Sequence, residues 1–240
     1  MYVDYYVVPI IAVPKDEQEK FRFLGTGFFV GDKGHLVTCA HVVKQITPNE
    51  SLHCYQIGRK REITLEVIKV MTDYDLALCL GDRPQTKIEI PIVSEPFVHM
   101  GSDIDTFGYL HEPRGQAHLP FTRRIMKGHI VSIPDSSDYP DSYELSFPAL
   151  FGFSGAPLLY SFNIQGKTES KLGIAGCIYG SRETGIVKHS ELVHEVLSHG
   201  MIERETETIS RIVELGLAYT PKALFKLFHE SDIKITVYSE

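Results

Sequence analysis

The chain has 240 residues, 43% of them hydrophobic and 23% charged, with a formal net charge of -7. This composition excludes a disordered chain, and the basic stretches Arg59-Lys60-Arg61 and Arg123-Arg124 are too short to form a nucleic-acid-binding face. A chain of this length buries roughly 70% of its unfolded surface, enough to fold without disulfide or metal staples.

Residues 1–14 are apolar around Tyr5-Tyr6-Val7-Val8, but the first charge is Asp4, nothing basic precedes the run and Pro9 interrupts it. The segment reads as a strand, not as a signal peptide or a membrane span. Six strands are expected in a first lobe, over 5–13, 27–30, 35–39, 52–57, 62–71 and 76–80. Gly31-Asp32-Lys33-Gly34 supplies a hairpin turn between the second and third. Residues 81–102 carry Pro84, Pro91 and Pro96 and read as a connection between lobes. A second set of six is expected over 104–110, 124–133, 143–147, 156–162, 172–178 and 185–188.

The tail changes character. Leu192, Val193, Val196 and Leu197, then Ile209, Ile212, Val213 and Leu215, fall at helical spacing. They predict helices over 190–198 and 203–218. Thr220-Pro221 caps a third helix to about residue 230, and 233–238 alternates like a last strand. The expected architecture is therefore all-β over 1–190, in two halves (about 1–90 and 103–190), with a mostly helical C-terminal extension over 191–240. Cys39, Cys54, Cys79 and Cys177 show no C-x-x-C spacing and sit in apolar runs, as free buried thiols of a reducing cytoplasm would.

Three segments carry chemistry. His41 follows the strand-like run Leu36-Val37-Thr38-Cys39-Ala40, Asp75 opens the apolar run Leu76-Ala77-Leu78-Cys79-Leu80, and Ser154 lies in Phe151-Gly152-Phe153-Ser154-Gly155-Ala156-Pro157. Acyl transfer needs such a set. A serine hydroxyl needs a neutral imidazole to take its proton, and the imidazole needs an acid on its other nitrogen. Glycines beside the serine let backbone N–H groups, here of Gly152 and Ser154, face a developing oxyanion. Asp73 is a rival acid two residues before Asp75. The serine elbow of α/β-hydrolases is rejected, because Gly-x-Ser-Gly is followed here by Pro157 and the chain lacks alternating helices.

With these residues in place, the sequence resembles the trypsin-like (chymotrypsin-fold) serine peptidases, in a compact bacterial form without disulfides. Gly25-Thr26-Gly27-Phe28-Phe29-Val30, Thr38-Cys39-Ala40-His41, Asp75-Leu76-Ala77 and Gly152-Phe153-Ser154-Gly155-Ala156-Pro157-Leu158 are similar to that family's motifs, in the family's order. The resemblance covers about residues 20–190. It implies two six-stranded antiparallel β-barrels with His41 as general base, Asp75 as its orienting acid and Ser154 as nucleophile. Gly152 and Ser154 would supply the oxyanion hole. It places the substrate pocket on the segment from Pro148 and Ala149 to Phe151 and on Ile178, Tyr179 and Gly180. No acid lies in these short stretches and Glu183 is the nearest, so a small or medium apolar residue is expected there.

Phe153 stands where zymogen-activated members carry an aspartate, so activation by N-terminal cleavage is not expected. The resemblance implies a protein or peptide substrate and no metal or cofactor. The reading is of an intracellular, cytoplasmic serine endopeptidase of restricted specificity that binds neither nucleic acid nor membrane. The tail helices would cap the second barrel or dock a regulatory protein. The alternatives are a catalytically silent peptidase-fold binding module and a serine esterase on the same fold.

Overall fold

The computed structural model describes residues 3–16, 20–82, 90–94, 97–112, 121–134, 137–163, 170–198 and 201–238; of residues 4, 163, 170 and 184–213 it describes the backbone alone. The first half is a sheet of seven strands: β1 (Val7–Pro14), β2 (Arg22–Val30), β3 (His35–Thr38), β4 (Glu50–Gln56), β5 (Arg61–Thr64), β6 (Glu66–Val70) and β7 (Ala77–Leu80), in the order β5-β4-β1-β2-β3-β7-β6. The two edge strands are consecutive in sequence, with only Leu65 between them. The half-barrel is thus made of the six strands expected, the fifth of them bent. β1 is central and buried on both faces, which is why its sequence runs apolar without alternation.

The second half contains β8 (Ile92–Val93), β9 (Asp103–His111), β10 (Phe121–Ser132), β11 (Ser142–Leu145), β12 (Pro157–Asn163), β13 (Ser170–Ser198), β14 (Met201–Tyr219) and β15 (Val237–Tyr238). The ring β12-β9-β10-β11-β14-β13 closes through pairing of β12 with β13, giving a six-stranded barrel. β8 lies within the stretch expected as a connection, and it pairs with β13 and β15. The two-barrel all-β architecture read from the sequence is what the structure shows.

The tail corrects that reading. The helices expected over 190–198 and 203–218 are strands, and 185–188 is not a separate strand but part of β13. The sixth strand of the second barrel is the end of β14, where Leu145 pairs with Gly216 and Ser142 with Tyr219. The physical reason is edge closure. Without this segment β11 and β13 would leave two rows of unpaired backbone groups. Leu215, Leu217 and Tyr219 alternate with period two, and Thr206, Thr208, Ile209, Ile212 and Val213 favour strand over helix by their branching. The third helix does form, as α2 (Pro221–Glu230), with Pro221 at its first turn. Its Ala223, Leu224, Leu227 and Phe228 join the larger buried cluster, which spans the first half and reaches Cys177 and Tyr219 of the second, so its apolar face is occupied by the chain itself.

Candidate functional site

The register of β3 and β7 creates half of the site. They run antiparallel with Thr38 opposite Ala77, so the segment leaving β3 meets the segment entering β7. After β3, Cys39 is still extended and the chain turns into α1 (Ala40–Val43), which buries Val42 and Val43 and leaves His41 on the open side. Its side chain is 45% exposed.

Asp75 grips this turn at three points. Its carbonyl accepts the Ala40 N–H at 3.1 Å and its Oδ1 accepts the His41 N–H at 2.8 Å. Its Oδ2 lies 2.5 Å from His41 Nδ1. One carboxylate therefore sets both the main chain and the ring of the histidine, and the ring proton on Nδ1 leaves Nε2 free to act as a base. Asp73 is elsewhere: its Oδ2 accepts Lys226 Nζ at 2.9 Å on the surface, which holds its carboxyl below the usual range.

Ser154 comes from the second barrel, on the loop leading into β12. Leu150-Phe151-Gly152-Phe153 forms a turn closed by Phe153 N–H donating to the Leu150 carbonyl at 2.9 Å. Gly152 is its third residue at φ +96, the signature of a type II turn. A side chain is excluded there by conformation and by space, since a Cβ would stand 2.5 Å from the Tyr109 carbonyl oxygen. Gly155, at φ +87, brings the backbone against Thr26 and Thr38, three residues ahead of His41.

Thr26 fastens the loop from the first barrel. Its Oγ1 donates to the Gly152 carbonyl at 2.7 Å, and its N–H donates to the Ser154 carbonyl at 3.0 Å. Both acceptors on the loop are thus occupied. Among the described residues, the N–H groups of Gly152 and Ser154 have no acceptor, and the Ser154 hydroxyl makes no hydrogen bond. Catalytic hydrogen bonds commonly tighten only with substrate present.

Phe153 is fully buried with its ring against Gly108 of β9, and Phe147 is buried too, but Phe151 is 89% exposed. Core packing therefore accounts for Phe147 and Phe153, and the loop is anchored by an apolar plug.

The expected pocket residues divide. Ala149 N–H donates to Ser181 Oγ at 2.7 Å, and Gly216 N–H donates to the Phe147 carbonyl at 2.7 Å, so the 147–149 segment, the 180–181 segment and β14 meet. Pro148, Ala149 and Gly180 are half-buried, and open space faces Gly180. Ile178 is different: it is fully buried in the second barrel's core. The Tyr179 ring stacks on Tyr219 at 4.1 Å, and its hydroxyl is hydrogen-bonded to Ser142 Oγ. Glu183 lies on β13 and is exposed. Sequence reasoning missed Gly216 and Tyr219, whose only signal was the alternation at the end of β14. It quoted Thr26 in a motif without giving it a role.

Cys39 Sγ, a ring nitrogen of His41 and an Asp75 carboxylate oxygen all lie within 4.8 Å of one another. The thiol contacts the Ile178 carbonyl at 3.3 Å, and burial pushes its pKa well up. A neutral buried thiol is a poor metal ligand, and the cluster is better described as a His–Asp pair packed on a cysteine. All four cysteines are free and buried.

The model of the trypsin-like peptidase domain matches residues 25–166, which include His41, Asp75 and Ser154. The chain belongs to the trypsin-like peptidase family. It is 29% identical over 149 residues to an uncharacterized protein of Sinorhizobium fredii, a match that covers 62% of this chain and 22% of that one. In fold it is similar to a serine endoprotease from Yersinia pestis, with a TM-score of 0.56 and 17% identity over 95% of this chain and 63% of the other. This chain thus spans about a fifth of the first relative's length and under two thirds of the second's. Among the described residues, no helix is long and apolar enough to cross a membrane.

Proposed function

We propose that this member of the family is a serine endopeptidase that cleaves peptide bonds through an acyl-enzyme, with His41, Asp75 and Ser154 as its triad. The observation that carries the reading is the pairing of two prepared features. Asp75 clasps both the amide and the ring of His41, and the turn before Ser154 presents two N–H groups without an acceptor. His41 Nε2 takes the Ser154 proton as Oγ attacks the carbonyl carbon. The oxyanion is received by the N–H groups of Gly152 and Ser154, and Asp75 stabilises the imidazolium. The proton then passes to the leaving amine, and water repeats the sequence on the ester.

The phenylalanine plug at 153 supports a loop that is set without a newly cut N-terminus. No acid stands in the walls formed by Pro148, Ala149, Gly180 and Gly216, which favours a small or medium apolar residue before the cleaved bond. Phe151, exposed on the turn beside the oxyanion donors, is placed to touch the substrate chain. Four unpaired thiols fit a reducing compartment, and an active protease there calls for restricted specificity or regulation.

The reading is tested with a fluorophosphonate probe and a peptide library. Labelling at Ser154 that is lost in Ser154→Ala, with peptide hydrolysis reduced about 10⁴-fold or more, is the expected result. Absence of labelling in the parent chain refutes the triad. Labelling with cleavage of esters but of no peptide would make the protein an esterase.

A further inference from the structure

We propose that Tyr219 is a positioning residue for the Asp75–His41 pair, its hydroxyl holding the Asp75 main chain from the second barrel. The inference rests on the triad reading above and adds a component to it.

A peptidase built from two barrels has a registration problem. His41 and Asp75 belong to the first barrel and Ser154 to the second, while proton transfer tolerates errors of only a few tenths of an ångström. Asp75 has four polar anchors. Three of them, its carbonyl and both carboxylate oxygens, are engaged by Ala40 and His41 and so stay within the first barrel. The fourth is its N–H, which donates to Tyr219 Oη at 2.8 Å across 144 residues of sequence. Among the described residues this is the one hydrogen bond that ties Asp75 itself to the barrel bearing Ser154.

The anchor is rigid. Tyr219 closes the second barrel at the end of β14 and is 7% exposed. Its ring stacks on Tyr179 at 4.1 Å and meets Tyr74 edge-on at 5.4 Å. Those neighbours are themselves held, Tyr179 by Ser142 and Tyr74 by a hydrogen bond to Asp141. Burial raises the Tyr219 phenol pKa, so the group stays neutral between the barrels. A second inter-barrel bond runs alongside, from Cys39 Sγ to the Ile178 carbonyl.

Tyr219→Phe deletes the acceptor and keeps the stacked ring. One hydrogen bond of this kind corresponds to about a fivefold to tenfold effect. The expected result is a kcat and a rate of fluorophosphonate labelling at Ser154 lower by that factor. KM should stay within about twofold and the thermal midpoint within a few degrees. The far-downfield resonance of the His41 Nδ1 proton should also shift or broaden. The inference is overturned if kcat, labelling rate and that resonance match the parent, or if only the thermal midpoint falls. Those failures leave the triad standing. The triad reading itself fails only when the parent chain is not labelled at Ser154, and the inference then falls with it.

Discussion

Gly152→Ala tests the oxyanion geometry most directly. At φ +96 an L-residue carries a conformational cost of about 1–2 kcal/mol. Its Cβ would also sit 2.5 Å from the Tyr109 carbonyl oxygen and 2.7 Å from Phe23 Cε1. The escape is a flip of the Phe151–Gly152 peptide from a type II to a type I turn, which brings φ at position 152 to about -90°. The same flip swings that N–H away from the substrate side. Loss of one oxyanion donor costs about 10²–10³ in kcat, or about 2.7–4 kcal/mol of barrier. Gly101→Ala isolates the backbone strain, because Gly101 has φ +83 with nothing within 4 Å of a Cβ. Urea unfolding and steady-state hydrolysis of a library-selected peptide should show both variants destabilised, but only Gly152→Ala losing kcat, with KM little changed. A Gly152→Ala enzyme whose kcat stays within a few-fold of the Gly101→Ala enzyme would refute the reasoning.

Two further outcomes follow from the supports of the site. Thr26→Val removes the donor to the Gly152 carbonyl and the acceptor of the Tyr109 N–H, both buried. Unfolding free energy should fall by about 2–4 kcal/mol, and kcat should fall about tenfold as the loop loses its tether; full activity at reduced stability would assign Thr26 to the core alone. Asp141→Asn tests the link between α2 and the Asp75 loop. Burial pushes the Asp141 carboxyl up, but hydrogen bonds from Lys222 and Tyr74 outweigh it and the net shift is downward. A depressed carboxylate stabilises the fold above its unfolded value, near pH 4, and that stability is lost as pH falls through the folded value. Asparagine tolerates the φ of +46 at this position. The variant should therefore be about 1 kcal/mol less stable at pH 7, with the difference closing as the pH falls through the depressed folded value. A difference that grows as the pH is lowered would contradict the sign.

The amino-acid sequence by itself determined the strands of the first barrel and most of those in the second. Their signal is local: alternation or apolar runs, ended by glycine, proline and aspartate. It also marked His41, Asp75 and Ser154 as candidates, because three short segments, each weak alone, stand in one order along the chain. What only the tertiary structure decided depends on pairing across long separations. Ile209, Ile212, Val213 and Leu215 fall at helical spacing, and only the open edges of β11 and β13 make their segment a strand. Asp73 stood as a rival two residues from the favoured Asp75 until the register of Thr38 opposite Ala77 put Asp75 beside His41 and left Asp73 with Lys226. Phe151 and Phe153 stand two residues apart, yet a turn set by Gly152 exposes one and buries the other. Tyr219 had no motif around it. Its contact with Asp75 exists only because the two barrels pack with the end of β14 against the entry to β7, a juxtaposition no window of sequence contains.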